Sequence, residues 1–388
     1  MRIGLFTDTY YPQVNGVATS TYLLKQGLER IGHNVYVFTT TDANATPNEQ
    51  GVYRIPSISV MSERRLALFY QPHLVRLIKR LNLDIIHTQT EFSLGIFGRL
   101  MAKRFNIPLT HTYHTIYEDY THYIAKFSQL NPIAKFAAKR ISVNFCRAAD
   151  QLIVPTVKVK NLLASYGVHR PINVIPTGIN LEKFSQANID SQHKERLRAT
   201  LSIQPDDKVI LFVGRVSKEK NIETLLLHVQ PYLKEHPHIK FVIVGDGPYR
   251  ACLEELTNEL AITQQVIFAG EQPWESINQY YQIGDVFVSA SQSETQGLTY
   301  IEALAAGLPV IAKADPCLNG VIENGQNGFT FHHQADFLSA LNSVLENERY
   351  QTALATTAVM TAKRFSAEQF AQSVLEIYSS TSKISLSS

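Results

Sequence analysis

Short apolar runs of strand character alternate with helix-length amphipathic segments along nearly the whole of this chain, and they do so in two series. The first series comprises Ile3 to Thr7, Val35 to Thr40, Asp84 to Thr88, Pro108 to Thr112, Gln151 to Val154 and Ile172 to Ile175. A segment long enough for a helix, such as Ala18 to Ile31, separates each run from the next. Strands separated by helices cannot pair as hairpins, so the pattern predicts a parallel sheet covered on both faces. After Pro176-Thr177-Gly178 the text turns polar through Ser191-Gln192-His193-Lys194-Glu195. A second series follows: Lys208 to Val213, Ile239 to Val244, Val266 to Ala269, Asp285 to Ser289 and Pro309 to Ala312. The 388 residues suffice for two cores, and the expectation is α/β: two doubly wound domains, residues 1–180 and 181–365. A last helix-like stretch, Ser366 to Ser379 within 366–388, is long enough to pack back on the first domain.

In such sheets ligands bind beyond the carboxyl ends of the strands, so the loops that follow strands are where chemistry is expected. The first of these, Asp8 to Gly16, ends in a glycine before a helix, where backbone N–H groups can meet a diphosphate; a plain turn is the simpler alternative. It lacks the Gly-x-Gly-x-x-Gly spacing of dinucleotide sites, which argues against a nicotinamide-dependent dehydrogenase. The loop after Pro108 to Thr112 brings His114 to a strand end, within reach of a ligand, although a lone histidine also serves in packing. After Val213, Arg215 and Lys220 flank a turn into a helix, an arginine fork and a lysine point charge suited to one diphosphate, whereas Lys218 reads as solvated. Gly245-Asp246-Gly247 opens like a dinucleotide motif but has Arg250 where a third glycine belongs; Gly247-Pro248 reads as a strand end and a helix start with proline first.

The last of these loops is Glu294-Thr295-Gln296-Gly297-Leu298-Thr299-Tyr300-Ile301-Glu302. It reads as a polar turn entering a short helix, with N–H donors of Gly297 and Leu298 at the positive helix end. One carboxylate lies beside that anion site and another a turn along. Acids there make sense if they hold hydroxyls rather than the anion, as a sugar–phosphate–sugar ligand requires; an ordinary acidic helix start is the alternative.

Charge is unevenly spread. Residues 1–180 carry a net +10 and the remainder −8, although the whole chain is only +2. Ser62 to Asn82 holds Arg64, Arg65, Arg76, Lys79 and Arg80 against the single acid Glu63, interleaved with leucines. Tyr120 to Ala149 has no acid, while Lys126, Lys135, Lys139 and Arg140 alternate with Phe127, Phe136 and Ile141. Basic, apolar and aromatic residues together describe helices lying in an anionic membrane surface, against the alternative of a solvated face over a packed core. No nucleic-acid module is recognisable. Three scattered cysteines give neither a disulfide framework nor a metal spacing, and the apolar start breaks too soon for a signal peptide. With no run of about 18 apolar residues, the expectation is a peripheral protein of the cytoplasmic membrane face without a transmembrane segment.

Taken together, Gly16, His114, Gly214-Arg215 with Lys220, and the Glu294 to Glu302 pair resemble the retaining nucleotide-sugar glycosyltransferases of family 4, over essentially the whole chain. The resemblance implies a GT-B fold, two Rossmann-like domains facing a central crevice. Gly16 would touch the donor phosphate, His114 would lie at the transferred sugar, and Arg215 and Lys220 would neutralise the leaving diphosphate. Glu294 would hold sugar hydroxyls, Gly297 and Leu298 would give N–H groups to phosphate, Glu302 would bind the ribose, and Gly270 to Gln272 would lie near the base. His87 to Gly95 and His114 to Tyr123 are similar to the bacterial subgroup that glucosylates diacylglycerol. This implies UDP-glucose as donor, diacylglycerol or a related lipid as acceptor, front-face attack with retention, and no obligatory metal, with magnesium at most stimulatory. Galactose as the sugar, a glycolipid or soluble acceptor, and a non-catalytic nucleotide-sugar-responsive membrane binder are the alternatives.

Overall fold

The computed structural model describes residues 1–13, 15–61, 64–67, 72–116, 131–185 and 190–386. It divides into two compact units, Met1–Gly178 with Ala367–Ser388, and Ile179–Ser366. The first unit contains strands β1 (Arg2–Phe6), β2 (Asn34–Thr40), β3 (Val52–Ile55), β4 (Ser57–Met61), β5 (Arg64–Ala67), β6 (Ile85–Thr88), β7 (Leu109–Thr112), β8 (Gln151–Val154) and β9 (Asn173–Val174). Its helices are α1 (Gly16–Arg30), α2 (Pro72–Leu81), α3 (Ser93–Phe105), α4 (Asn131–Ala148) and α5 (Val157–Ser165). The second unit contains α6 (Leu181–Phe184), α7 (Ser191–Thr200), β10 (Lys208–Val213), α8 (Ile222–Glu235), β11 (Ile239–Val244), α9 (Arg250–Glu259), β12 (Val266–Gly270) and α10 (Ile277–Ile283). It continues with β13 (Val286–Ser289), α11 (Leu298–Ala305), β14 (Val310–Lys313), β15 (Gly328–Phe331), α12 (Gln334–Leu345) and α13 (Glu348–Ala362), and α14 (Ala367–Leu386) belongs to the first unit.

Each unit is a parallel sheet, as the alternation requires. In unit 1 the order is β3-β2-β1-β6-β7-β8-β9, and in unit 2 it is β12-β11-β10-β13-β14-β15. The strand order reverses at β1/β6 in one sheet and at β10/β13 in the other, so the loops leaving those four strands flank the switch points where such sheets take ligands.

Side chains alternate across the pleat and build separate cores on the two faces. In unit 1, Ile85 and Ile153 pack with Leu24 and Leu28 of α1 and with Phe370, Val374 and Tyr378 of α14. The neighbouring Ile86 and Leu109 pack with Leu74 and Ile78 of α2 and Phe97 and Met101 of α3. Leu152 and Val154 pack with Cys146 of α4 and Val159 and Leu163 of α5. Thus α2, α3, α4 and α5 share one sheet face, and α1 and α14 the other. Each fully buried aliphatic side chain contributes about 1.5–3 kcal/mol, so both faces matter to the stability of the unit.

The structure departs from the sequence reading in three places. Ser62 to Asn82 is not one basic helix: Arg64 and Arg65 lie on β5, which pairs antiparallel with β4 (Ser57 opposite Ala67), and among the described residues of the stretch the helix is α2 alone. Pro72 is the physical reason, because proline disfavours helical geometry in the residue before it and is well suited to begin a helix. Pro248 does not open its helix, which starts at Arg250. Gly247 instead packs on the preceding loop, where an added Cβ would lie 2.3 Å from the Val216 carbonyl oxygen. Finally, β3 and β15 extend the sheets beyond the strands expected.

Candidate active site

In unit 2 the loops leaving β10 and β13 meet. Arg215 is half-buried immediately after β10, and a 3-10 turn, Lys218–Lys220, follows it. Lys218 is exposed. Lys220 Nζ donates to Glu294 Oε1 at 2.5 Å, and these side chains are 19% and 17% exposed. Next to it Asn221, in left-handed backbone with φ of 52°, donates from Nδ2 to the Ala290 carbonyl at 3.3 Å. Two cross-links therefore tie one switch-point loop to the other, 74 and 69 residues apart in sequence.

Gly297 is the N-cap of α11, with φ of 76°, and as a glycine brings no capping side chain of its own. A Cβ at 297 would lie 2.4 Å from the Tyr300 ring, so glycine is needed both for the backbone angle and for the ring beneath it. Leu298 is the first helical residue. Glu302, one turn on, is buried and accepts from the Tyr281 hydroxyl at 2.7 Å. Burial raises its carboxyl pKa, against the lowering by Tyr281 and Lys183. Gly270 closes β12 with φ of 73°, its carbonyl accepting from Gly245 N at 2.8 Å.

Lys183 and Trp274 were not singled out in the sequence. Lys183 Nζ lies 3.2 Å from the centroid of the Trp274 ring and donates to the Trp274 carbonyl. Burial lowers its pKa to about 8, partly offset by Glu302 and Glu275. Their long separation in the chain left no local signal.

In unit 1 the switch-point loops follow β1 and β6. Asp8 lies at the start of the first: Leu94 N donates to its Oδ1 at 3.0 Å, Ser93 Oγ to the same oxygen, and Thr90 Oγ1 to Oδ2 at 2.6 Å. A carboxylate held at the N-terminus of α3 interacts favourably with the helix dipole, and burial raises its pKa against these hydrogen bonds. Gly16 is the first residue of α1, whose N-cap Asn15 accepts from Ala18 N at 2.9 Å through its side chain.

His114 lies just beyond β7, half-buried, with Nε2 2.7 Å from Gln89 Oε1. Burial, then the nearby His111, lower its pKa to about 3, so the ring is neutral near neutral pH. His111 points to the α3/α4 face and meets Glu91 at 3.1 Å, both side chains almost wholly buried. His87 points to the other face, bonded to Tyr378 Oη (2.6 Å) and Thr112 Oγ1 (2.7 Å). Gln89, Glu91 and Tyr378 are partners that the sequence reading did not assign.

Of the basic residues, Arg76, Lys79 and Arg80 are exposed on α2, and Arg140 on α4. Lys139 is half-buried, its Nζ 4.6 Å from the centroid of the Tyr166 ring. Lys126 lies outside the described residues, as do the side chains of Arg64, Arg65 and Lys135. Among the described residues no three His, Cys, Asp or Glu side chains gather as a metal site, and no helix is long and apolar enough to cross a membrane.

Comparison with known proteins agrees with this layout. Residues 14–183 match the model of Glycosyltransferase Family 4, and residues 193–361 that of Glycosyl transferases group 1. An alpha-monoglucosyldiacylglycerol synthase of Streptococcus pneumoniae is 44% identical over 349 residues, covering 89% of this chain and 78% of that protein. A protein of the same description from Acholeplasma laidlawii is 36% identical, covering 97% of this chain and 96% of its own length. Among solved structures, Anabaena Alr3699/HepE in complex with UDP and glucose superposes with a TM-score of 0.77 at 21% identity, covering 98% of this chain and all of the other. The fold is GT-B, and the chain belongs to the glycosyltransferase family that contains the alpha-monoglucosyldiacylglycerol synthases.

Proposed function

We propose that the protein transfers glucose from UDP-glucose to the free hydroxyl of diacylglycerol, with retention, at an anionic membrane surface. The observation that carries the reading is the Lys220–Glu294 bridge across the unit 2 switch point, beside the α11 N-terminus, whose N-cap is the glycine Gly297. There a fixed cation, with Arg215, offsets the charge that develops as a nucleoside diphosphate departs. Glu294, Glu302 and the N–H groups of Gly297 and Leu298 are assigned to sugar hydroxyls, ribose and phosphate, with Gly270 at the base. Gly16 is assigned to the donor phosphate and His114 to the transferred sugar. The acceptor hydroxyl attacks on the face from which the diphosphate leaves, and the departing phosphate oxygen takes its proton. Glucose and diacylglycerol are the substrates implied by the name of the two similar synthases.

Support for the membrane reading comes from one sheet face of unit 1. Helices α2, α3, α4 and α5 contain no Asp or Glu. Arg76, Lys79, Arg80, Lys103, Arg104 and Arg140 are exposed there, together with Ile96 (39%), Leu100 (45%) and Ile141 (52%). Each cation near an anionic surface contributes about 1 kcal/mol.

Two measurements test the proposal. Diacylglycerol vesicles with UDP-glucose should release UDP and yield an α-configured glucolipid by mass and NMR; product from UDP-galactose only, or from a soluble acceptor only, sinks the substrate assignment. Sedimentation with anionic liposomes should fall at least tenfold when Arg76, Lys79 and Arg80 are reversed to Glu, since about 1 kcal/mol per cation multiplies over the three sites. Unchanged sedimentation removes the membrane claim.

A further inference from the structure

Alternate residues of the loop after β6 each hold one of the histidines that β7 delivers. Glu91 meets His111 at 3.1 Å, whereas Gln89 meets His114 at 2.7 Å. One imidazole therefore has an anionic partner and the other a neutral amide. Gln89 is only 2% exposed, is anchored by its backbone N–H to the Phe6 carbonyl at 2.8 Å, and has an amide nitrogen without a hydrogen-bond partner. Leaving such a donor buried and unpaired costs about 1–3 kcal/mol, so general packing does not account for the amide. Turning the amide over exchanges one unpaired end for the other. The contact with His114 is what the side chain has in either sense.

We infer that Gln89 is the positioning residue for His114: its amide oxygen accepts the Nε2–H, fixes the ring tautomer that leaves Nδ1 as an acceptor, and keeps the imidazole uncharged. The inference rests on the proposed placement of His114 at the transferred sugar. A neutral ring can accept from a sugar hydroxyl, whereas an imidazolium offers only donors. The charged and titratable groups around it are His111 with its Glu91 on the α3/α4 face and His87 on the α14 face. Burial and His111 already favour the neutral ring. A carboxylate in place of Gln89 would oppose both.

The test uses the full chain and two variants, Gln89→Glu and Gln89→Met, read by nitrogen-detected NMR of His114 and by the pH profile of turnover. In the native protein His114 should stay neutral and Nε2-protonated across about pH 5–8, the range in which an unperturbed histidine titrates. In Gln89→Glu its pKa should rise by roughly 2 units or more, and turnover should gain an acid limb at that same pKa. Gln89→Met, which keeps the volume, should lower kcat about tenfold with little change in donor KM, and should cost nothing further in a His114→Ala background. A His114 tautomer and titration unmoved by both variants overturns the inference, as does an equal Gln89→Met cost with and without His114. Should His114→Ala alone leave turnover intact, the placement at the sugar fails, while the NMR titration still decides what Gln89 does to the ring.

Discussion

At the scale of single residues, the bridge between Lys220 and Glu294 is short and mostly sheltered, so its two charges interact more strongly than a surface pair. Removing either partner takes this charged hydrogen bond from the other. Lys220→Met or Glu294→Ala should lower turnover at saturating donor by about 10–150-fold, the equivalent of one charged hydrogen bond of about 1.5–3 kcal/mol. Near-native turnover in both variants would show that the site lies elsewhere. His114 gives a prediction about pH. Its pKa is about 3 in the folded chain, against about 6.5 when unfolded, so the unfolded state binds the extra proton. The stability gained by keeping it neutral is full above about pH 6.5 and falls by about 1.4 kcal/mol per unit as pH drops towards the folded pKa. His114→Gln removes that dependence. The stability gap between native and variant, from urea unfolding, should shift by about 2 kcal/mol between pH 7 and pH 5; an unchanged gap refutes it. The positions of Arg215, Lys220 and Glu294, whose roles are proposals, were legible in the sequence because each follows an apolar run by two to seven residues. Gln89, Lys183 and Trp274 were not, because their partners lie 25 and 91 residues away and only the folded sheet brings them together.

Among elements, the strands that read well were the buried parallel ones, each with four or five consecutive apolar residues after a lysine near its start: Lys208–Val213 and Ile239–Val244 have the bounds expected. The Val52–Ile55 edge carries Arg54, and Gly328–Phe331 alternates glycine and threonine with phenylalanine, so neither presents an unbroken run. The β4–β5 hairpin hid within basic text because periodicity cannot tell a short apolar–basic strand from a helix turn. Helix α14 was recognisable as a helix with the first domain as its place, but the helix it packs on was not. It packs on α1, where Gly27 faces Ala371 so closely that an added Cβ would lie 2.6 Å from the alanine Cβ. Glycine within an exposed helix costs about 0.5–1 kcal/mol relative to alanine, so substitution there stabilises. Here the clash is with a short, inflexible side chain, and overpacking costs about 1–3 kcal/mol. Gly27→Ala should therefore destabilise unit 1 by urea unfolding, and a gain in stability would mean that the two helices are not so closely apposed.

At the scale of the whole molecule, one compact unit is assembled from both ends of the chain and the other from its middle. Deleting residues 367–388 consequently removes part of the first core and none of the second. Phe370, Val374 and Tyr378 are buried against β1, β2, β6 and α1, and Tyr378 also bonds to His87. At about 1.5–3 kcal/mol for each large apolar side chain, their loss approaches the roughly 5–15 kcal/mol by which a domain is stable. The chain carries a single tryptophan, Trp274, and it belongs to unit 2. Its fluorescence therefore reports the unit that the deletion leaves complete. In the truncated protein the Trp274 unfolding transition should keep its native midpoint, while far-ultraviolet circular dichroism loses much of the unit 1 helix and strand signal at ambient temperature. If the Trp274 transition instead moved or vanished with the deletion, the two units would not fold independently. The division of labour proposed here, with most of the donor contacts in unit 2 and lipid contact in unit 1, predicts a matching split in function: the truncated chain should still protect Trp274 on addition of UDP but should no longer sediment with anionic liposomes.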